Sequence, residues 1–182
     1  MDETKDELAG VVDLFGALTR AELAEALAEL AFKQGKEVDE SAFESVIEDA
    51  VTDYYLVDAT LEGGERTVNR AETVLVPGPV AFPALPENGE DLPHIMDVPE
   101  RSVNHERIGE RVKNRLLSEA ETADEKRADY LLDVSYDLEA WAPVSADEVR
   151  GRLDESLDDL SGQSSDESPR ESSPESPGDR AN

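Results

Sequence analysis

Acidic side chains are the reactive groups this chain has in greatest number: 45 Asp and Glu in 182 residues, paired at Glu48-Asp49, Glu90-Asp91 and Asp158-Asp159. Two carboxylates can serve as general acid and base only where burial or mutual repulsion separates their pKa values. None of these pairs is flanked by an apolar pattern that would bury both members, so their density carries no catalytic signal. Ser41, Ser45 and Ser102 lack the setting of a nucleophile elbow, and Gly63-Gly64 is followed by Glu65, without the lysine and helix start of a phosphate loop. The chain has no Cys, hence no disulfide, thiolate nucleophile or thiolate metal site. Its two histidines are His94, among the apolar residues of LPHIM, and His105. A zinc site draws on roughly three or four ligands at close spacing. The expectation is therefore no enzyme: no catalytic residue, cofactor, metal or small-molecule substrate.

The bases say more because they are scarce, 17 against 45 acids. Arg101, Arg107, Arg111, Lys113 and Arg115 outnumber Glu106 and Glu110 between Arg101 and Leu116. Arg107, Arg111 and Arg115 recur every fourth residue and fall along one helix face, where they would meet phosphate or an acidic partner. The competing reading is pairing inside the chain, since Arg115 precedes Glu119 by one helical turn and Arg107 precedes Glu110 by three residues. Arg66 and Arg70 sit by a turn, Glu62-Gly63-Gly64-Glu65, where a DNA contact would fall in a winged helix.

These residues need elements to hold them. Thr4-Lys5-Asp6-Glu7 and Thr19-Arg20-Ala21-Glu22 have the form of capping boxes, the first opening a helix that ends near Gly16 and the second one stopped by Gly35. Asp39 is placed to cap a third helix with Phe43, Val46, Ile47, Ala50, Val51 and Tyr54 on one face and Glu40, Glu44, Glu48 and Asp49 mostly outside it. Tyr55 to Ala59 reads as a strand, with a return strand within Thr67 to Val76. Three short helices and a hairpin give the element order of a winged helix-turn-helix. Prolines then punctuate an apolar stretch too rich in Val, Phe, Leu, Ile and Met to be a free linker. Helical periodicity resumes with Ile108, Val112 and Leu116, and with Leu131, Val134, Leu138 and Trp141 after Thr122-Ala123-Asp124-Glu125. A box at Ser145-Ala146-Asp147-Glu148 opens the last helix, with Val149, Leu153, Leu157 and Leu160.

The predicted fold is mainly α with a small β-hairpin (α+β): a winged-helix-like unit over residues 1–82, a Pro-rich packed connector over 83–101, a helical region over 102–160, and a disordered acidic Ser/Pro tail over 161–182. Leu131, Val134, Leu138 and Trp141 follow the rhythm of a helix seam and form the expected homodimer or partner interface, with burial against the chain's own helix 102–118 as the other outcome.

A net charge of -28 pushes a compact chain apart unless salt screens it; the Debye length is roughly 3 Å at 1 M salt. With few Lys and few aromatics, the composition fits a salt-adapted cytosolic protein of a haloarchaeon. The start MDETKDELAG has no signal-peptide pattern, and no run approaches the ~18 apolar residues of a membrane span, so cytoplasmic localisation without membrane contact is expected. The segments LAGVVDLFGALTRAELAEALAELAF, DYYLV, LVPGPVAFPALPE and EDLPHIMDVPER resemble an uncharacterised haloarchaeal family, a domain of unknown function, over most of residues 5 to 160. That resemblance implies cell type and domain extent and imports no catalytic residue.

These readings converge on a cytosolic regulator or adaptor that binds a protein partner. A DNA-binding transcription regulator using the wing arginines is the alternative, disfavoured by the acidic third helix, and a small enzyme is the third class.

Overall fold

The computed structural model describes residues 2–35, 40–61 and 72–163. Three helices come first: α1 (Asp2–Phe15), α2 (Arg20–Lys33) and α3 (Glu40–Thr52). The box at Thr19 forms as its spacing predicts. The Thr19 hydroxyl accepts from the Glu22 amide at 3.2 Å, and the Glu22 carboxylate accepts from the Thr19 amide at 2.7 Å. Two other boxes do not form as expected. α1 already begins at Asp2, which places Thr4 inside the helix. At the last helix the Ser145 hydroxyl accepts from the Asp147 amide, while the side chain that reaches the Ala146 amide is Glu139, at 2.8 Å, from the preceding helix. A tertiary carboxylate thus caps this helix start, at the Ala146 amide and not at the Ser145 amide that Glu148 was expected to meet. The expected cap Asp39 lies outside the described residues.

Strands β1 (Leu56–Leu61) and β2 (Glu72–Pro77) pair antiparallel, Leu56 opposite Pro77 and Leu61 opposite Glu72. A third backbone segment joins them. Leu18, between α1 and α2, exchanges two hydrogen bonds with Leu75, at 3.2 and 2.6 Å. Strand alternation then sends successive side chains to opposite faces. Leu56 and Leu75 join the core of α1, α2 and α3, whereas Val57, Ala59, Val74 and Val76 join a second core. The hairpin is the layer between the two.

That second core is built by α5 (His105–Ala120), α6 (Glu125–Trp141) and α7 (Asp147–Gln163), which pack on one another, with α5 against β1. Ile108, Val112 and Leu116 of α5 and Val149 and Leu153 of α7 are buried at helical spacing. α7 runs to Gln163, three residues into the stretch read as tail; residues 164–182 lie outside the described ones. Between hairpin and α5, a short 3₁₀ turn (Gly89–Asp91) leads into α4 (Leu92–Ile95). This connector is bound to α1: the amides of Phe82 and Ala84 donate to the Asp6 carboxylate at 2.8 Å and the Asp6 carbonyl at 3.1 Å, and Leu92 is fully buried in the first core. The chain is therefore mainly helical with one antiparallel hairpin, an α+β fold.

Candidate interaction surfaces

The end of α3 is where the two helical layers are bolted together. A helix leaves its last carbonyls without intrahelical partners. Here arginines from the C-terminal layer take them: Arg115 Nη1 donates to Val51 O at 2.8 Å and its Nη2 to Thr52 O at 3.1 Å, and Arg127 Nη2 donates to Thr52 O at 2.9 Å. Cations at a helix C-terminus also meet the negative end of its dipole. The backbone closes with the Tyr55 amide bonded to Ala50 O and the Tyr54 amide to Val51 O, which puts Tyr54 at φ 61°. That left-handed position usually holds glycine. Tyr54 was expected on the inward face of α3; it stands instead two residues past the helix end.

Packing holds it there. The Tyr54 side chain is fully buried, its ring lies 4.2 Å from the Arg115 guanidinium carbon, and its hydroxyl donates to Glu119 at 3.0 Å. Glu119 also accepts from Arg115 Nε at 2.8 Å and from Arg127 Nη2 at 2.7 Å. Burial works to raise the Glu119 carboxyl, but the bond from Arg127, the charge of Arg115 and the Tyr54 hydroxyl hold it below the usual carboxylate range. Burial pushes the Tyr54 hydroxyl well up, so it stays protonated and donates. Next to it, Asp53 accepts from Lys5 and Arg127, and the Tyr130 hydroxyl donates to Asp53 O at 2.6 Å.

This geometry divides the predicted arginine stripe. Four residues turn a helix by about 400°, so each arginine drifts some 40° from the one before. Arg115 faces the α3 end and pairs with Glu119, as the spacing allowed. Arg107 and Arg111 instead line a groove of about 660 Å³ between the end of β1 and the first half of α5. Arg66 and Arg70 lie outside the described residues. Arg101, part of the same basic segment, has a side chain that is only 5 % exposed. It is clamped by Glu22 at 2.8 and 2.9 Å and by Glu72 at 3.3 Å, with a further bond to Ala17 O. Burial opposes the Glu22 charge, while bonds from Arg101 and Thr19 lower its pKa.

The predicted seam is covered from within. Leu131, Val134 and Leu138 are buried in the core that α6 shares with α5 and α7, and Trp141 is half-buried with its ring edge-on to His105 at 5.5 Å. Outward, α3 presents Glu44, Ser45, Glu48 and Asp49 to solvent. Arg20 bonds Glu48 at 3.0 Å and turns its other arm to Asp58. Among the described residues no group of three His, Asp or Glu side chains stands together as metal ligands would, and no helix is long and apolar enough to cross a membrane.

A mainly helical α+β chain, with one hairpin between two helical layers and arginines turned inward against carboxylates and carbonyls, is the class these features define. Residues 6–158 match the family of unknown function DUF7109, and the chain belongs to that family. No curated protein and no solved structure matches it.

Proposed function

We propose that the chain is a non-enzymatic regulator or adaptor of the haloarchaeal cytosol, acting through protein–protein contacts on a winged-helix-like scaffold. The scaffold reading is supported by element order together with the Leu18–Leu75 bridge: helix, bridging segment, two helices, then a two-stranded hairpin to which that segment pairs. The observation that carries the functional reading is the exposed face of α3. In a DNA reader this helix would supply phosphate and base contacts. Here it offers Glu44, Glu48 and Asp49, and Arg20, the base bonded to it, is held in ion pairs. Phe32, at the end of α2, and Phe82, on the connector, are exposed aromatics of the kind a protein interface buries. With Leu131, Val134 and Leu138 inside the core, a second copy or another protein would bind elsewhere, and α3 is the surface of choice.

Co-purification of the full chain in molar KCl, with and without nuclease, tests this. Partners that survive nuclease and are lost with the double variant Glu44→Lys, Asp49→Lys support the adaptor. Loss of every partner on nuclease treatment overturns it in favour of the second reading, a transcription regulator bound to DNA. That reading rests on Arg107 and Arg111 lining one groove at the end of β1, and on Arg66 and Arg70 falling in the sequence between β1 and β2.

A further inference from the structure

We propose that the groove between the end of β1 and the first half of α5 binds a small organic anion, an acid with an apolar body, whose charged end is held by Arg111. At about 660 Å³ it lies within the range of small-molecule sites, roughly 300–1,000 Å³. Its lining is of two kinds. Ala59, Val103 and Ile108 belong to or pack on the hydrophobic core and give an apolar floor. Arg111 and Asn114, one turn apart along α5, supply donors.

Arg111 is the anchor. Six other arginines of the described residues, Arg20, Arg101, Arg115, Arg127, Arg150 and Arg152, are each ion-paired to a carboxylate. Arg111 is held instead by neutral acceptors, with Nη1 donating to Asp58 O at 3.3 Å and to the Thr60 hydroxyl at 3.0 Å. These two bonds fix the guanidinium at the edge of β1 and leave Nε and Nη2 without a bonded partner among the described residues. In a chain with 45 acids, a guanidinium fixed in a groove with donors in reserve fits an incoming carboxylate or sulfonate, which it can meet with two parallel bonds.

The size and sign of the ligand follow from its surroundings. Glu110 also lines the groove, and Arg111 offsets its charge. A polyanion would have to bring many phosphates against a surface of net charge -28. A monoanion needs only the local field, which acts at contact distance even when salt shortens the Debye length to about 3 Å. The apolar floor favours an aryl or alkyl body over bare phosphate.

Benzoate is a suitable probe, titrated into the full chain in molar KCl and followed by amide chemical shifts. Saturable shifts centred on Thr60, Val103 and Asn114 are expected, with benzamide and inorganic phosphate binding at least tenfold more weakly. Arg111→Gln should weaken benzoate about tenfold or more, the scale of a lost charge-assisted bond. Glu110→Gln, at an exposed position where folding is not at stake, should tighten it severalfold. Absence of saturation in wild type, equal binding of benzamide or phosphate, or a Glu110→Gln variant that binds no more tightly overturns the site. Unchanged binding by a folded Arg111→Gln chain does the same.

Discussion

Tyr54 shows how a costly backbone position is maintained by side-chain chemistry. A left-handed conformation costs a non-glycine residue roughly 1–2 kcal/mol. The buried ring, the stacked Arg115 and the bond to Glu119 outweigh that cost. Tyr54→Gly therefore relieves the strain yet loses an aromatic core side chain, worth about 3–5 kcal/mol, and should be destabilised by about 2–3 kcal/mol net. Tyr54→Phe should lose only about 1–2 kcal/mol with the hydroxyl bond; denaturant midpoints in constant molar KCl rank the two. Glu119 makes a pH prediction. Its folded-state pKa is depressed, so its stabilisation is complete above the unfolded value of about 4.3 and is lost as pH falls through the folded one. Glu119→Gln should be much less stable than wild type at about pH 7, and the gap should narrow below about pH 4; parallel midpoints at the two pH values measure it. Of this cluster, the Arg115–Glu119 pair was legible in the sequence because one helix turn fixes it. The role of Tyr54 was not, because apolar periodicity runs past the helix end and DYYL contains no glycine to mark the turn.

Elements were legible where their determinants are local. The α2 cap lies within four residues and formed as read, and Gly16 and Gly35, both at positive φ, end their helices. The seam of α6 shows the limit: a stripe of Leu131, Val134 and Leu138 shows that something covers a face, and only the path of α5 and α7 decides what. The same holds for β1, whose Asp58 carbonyl is taken by Arg111, a side chain 53 residues away. Edge strands invite pairing with other chains, and a guanidinium on an edge carbonyl blunts that tendency. Docking of the connector is set by a close backbone approach. A Cβ at Gly10 would stand 2.1 Å from the Ala84 carbonyl oxygen, and carbonyl backbone yields little. Gly10→Ala gains up to about 1 kcal/mol in helix propensity but forces α1 and the connector apart. The net result should be a loss of about 1–3 kcal/mol, the usual scale of overpacking. A thermal midpoint above that of wild type would mean that the connector gives way freely and does not hold α1.

At the scale of the whole molecule, two electrostatic terms oppose one another as salt changes. Net charge of -28 destabilises the compact state and is relieved by screening. The ion pairs within the fold, Arg101 with Glu22, Arg127 with Glu119 and Lys5 with Asp53, are attractive and also weaken in salt. Distance and burial decide which wins. Repulsion among exposed carboxylates acts over many ångströms and is removed once the Debye length falls from about 10 Å at 0.1 M to about 3 Å at 1 M. The pairs are in contact and partly buried, Arg101 almost wholly, so screening touches them least. The thermal midpoint followed by circular dichroism should therefore rise from low salt to molar KCl. Glu119→Gln separates the terms, because it removes a shielded attraction and leaves the long-range repulsion nearly intact. Its midpoint should lie below that of wild type at every salt concentration while climbing by a similar amount between the two extremes. A flat or falling wild-type midpoint would mean that the contact pairs dominate and that the charge excess costs the fold little.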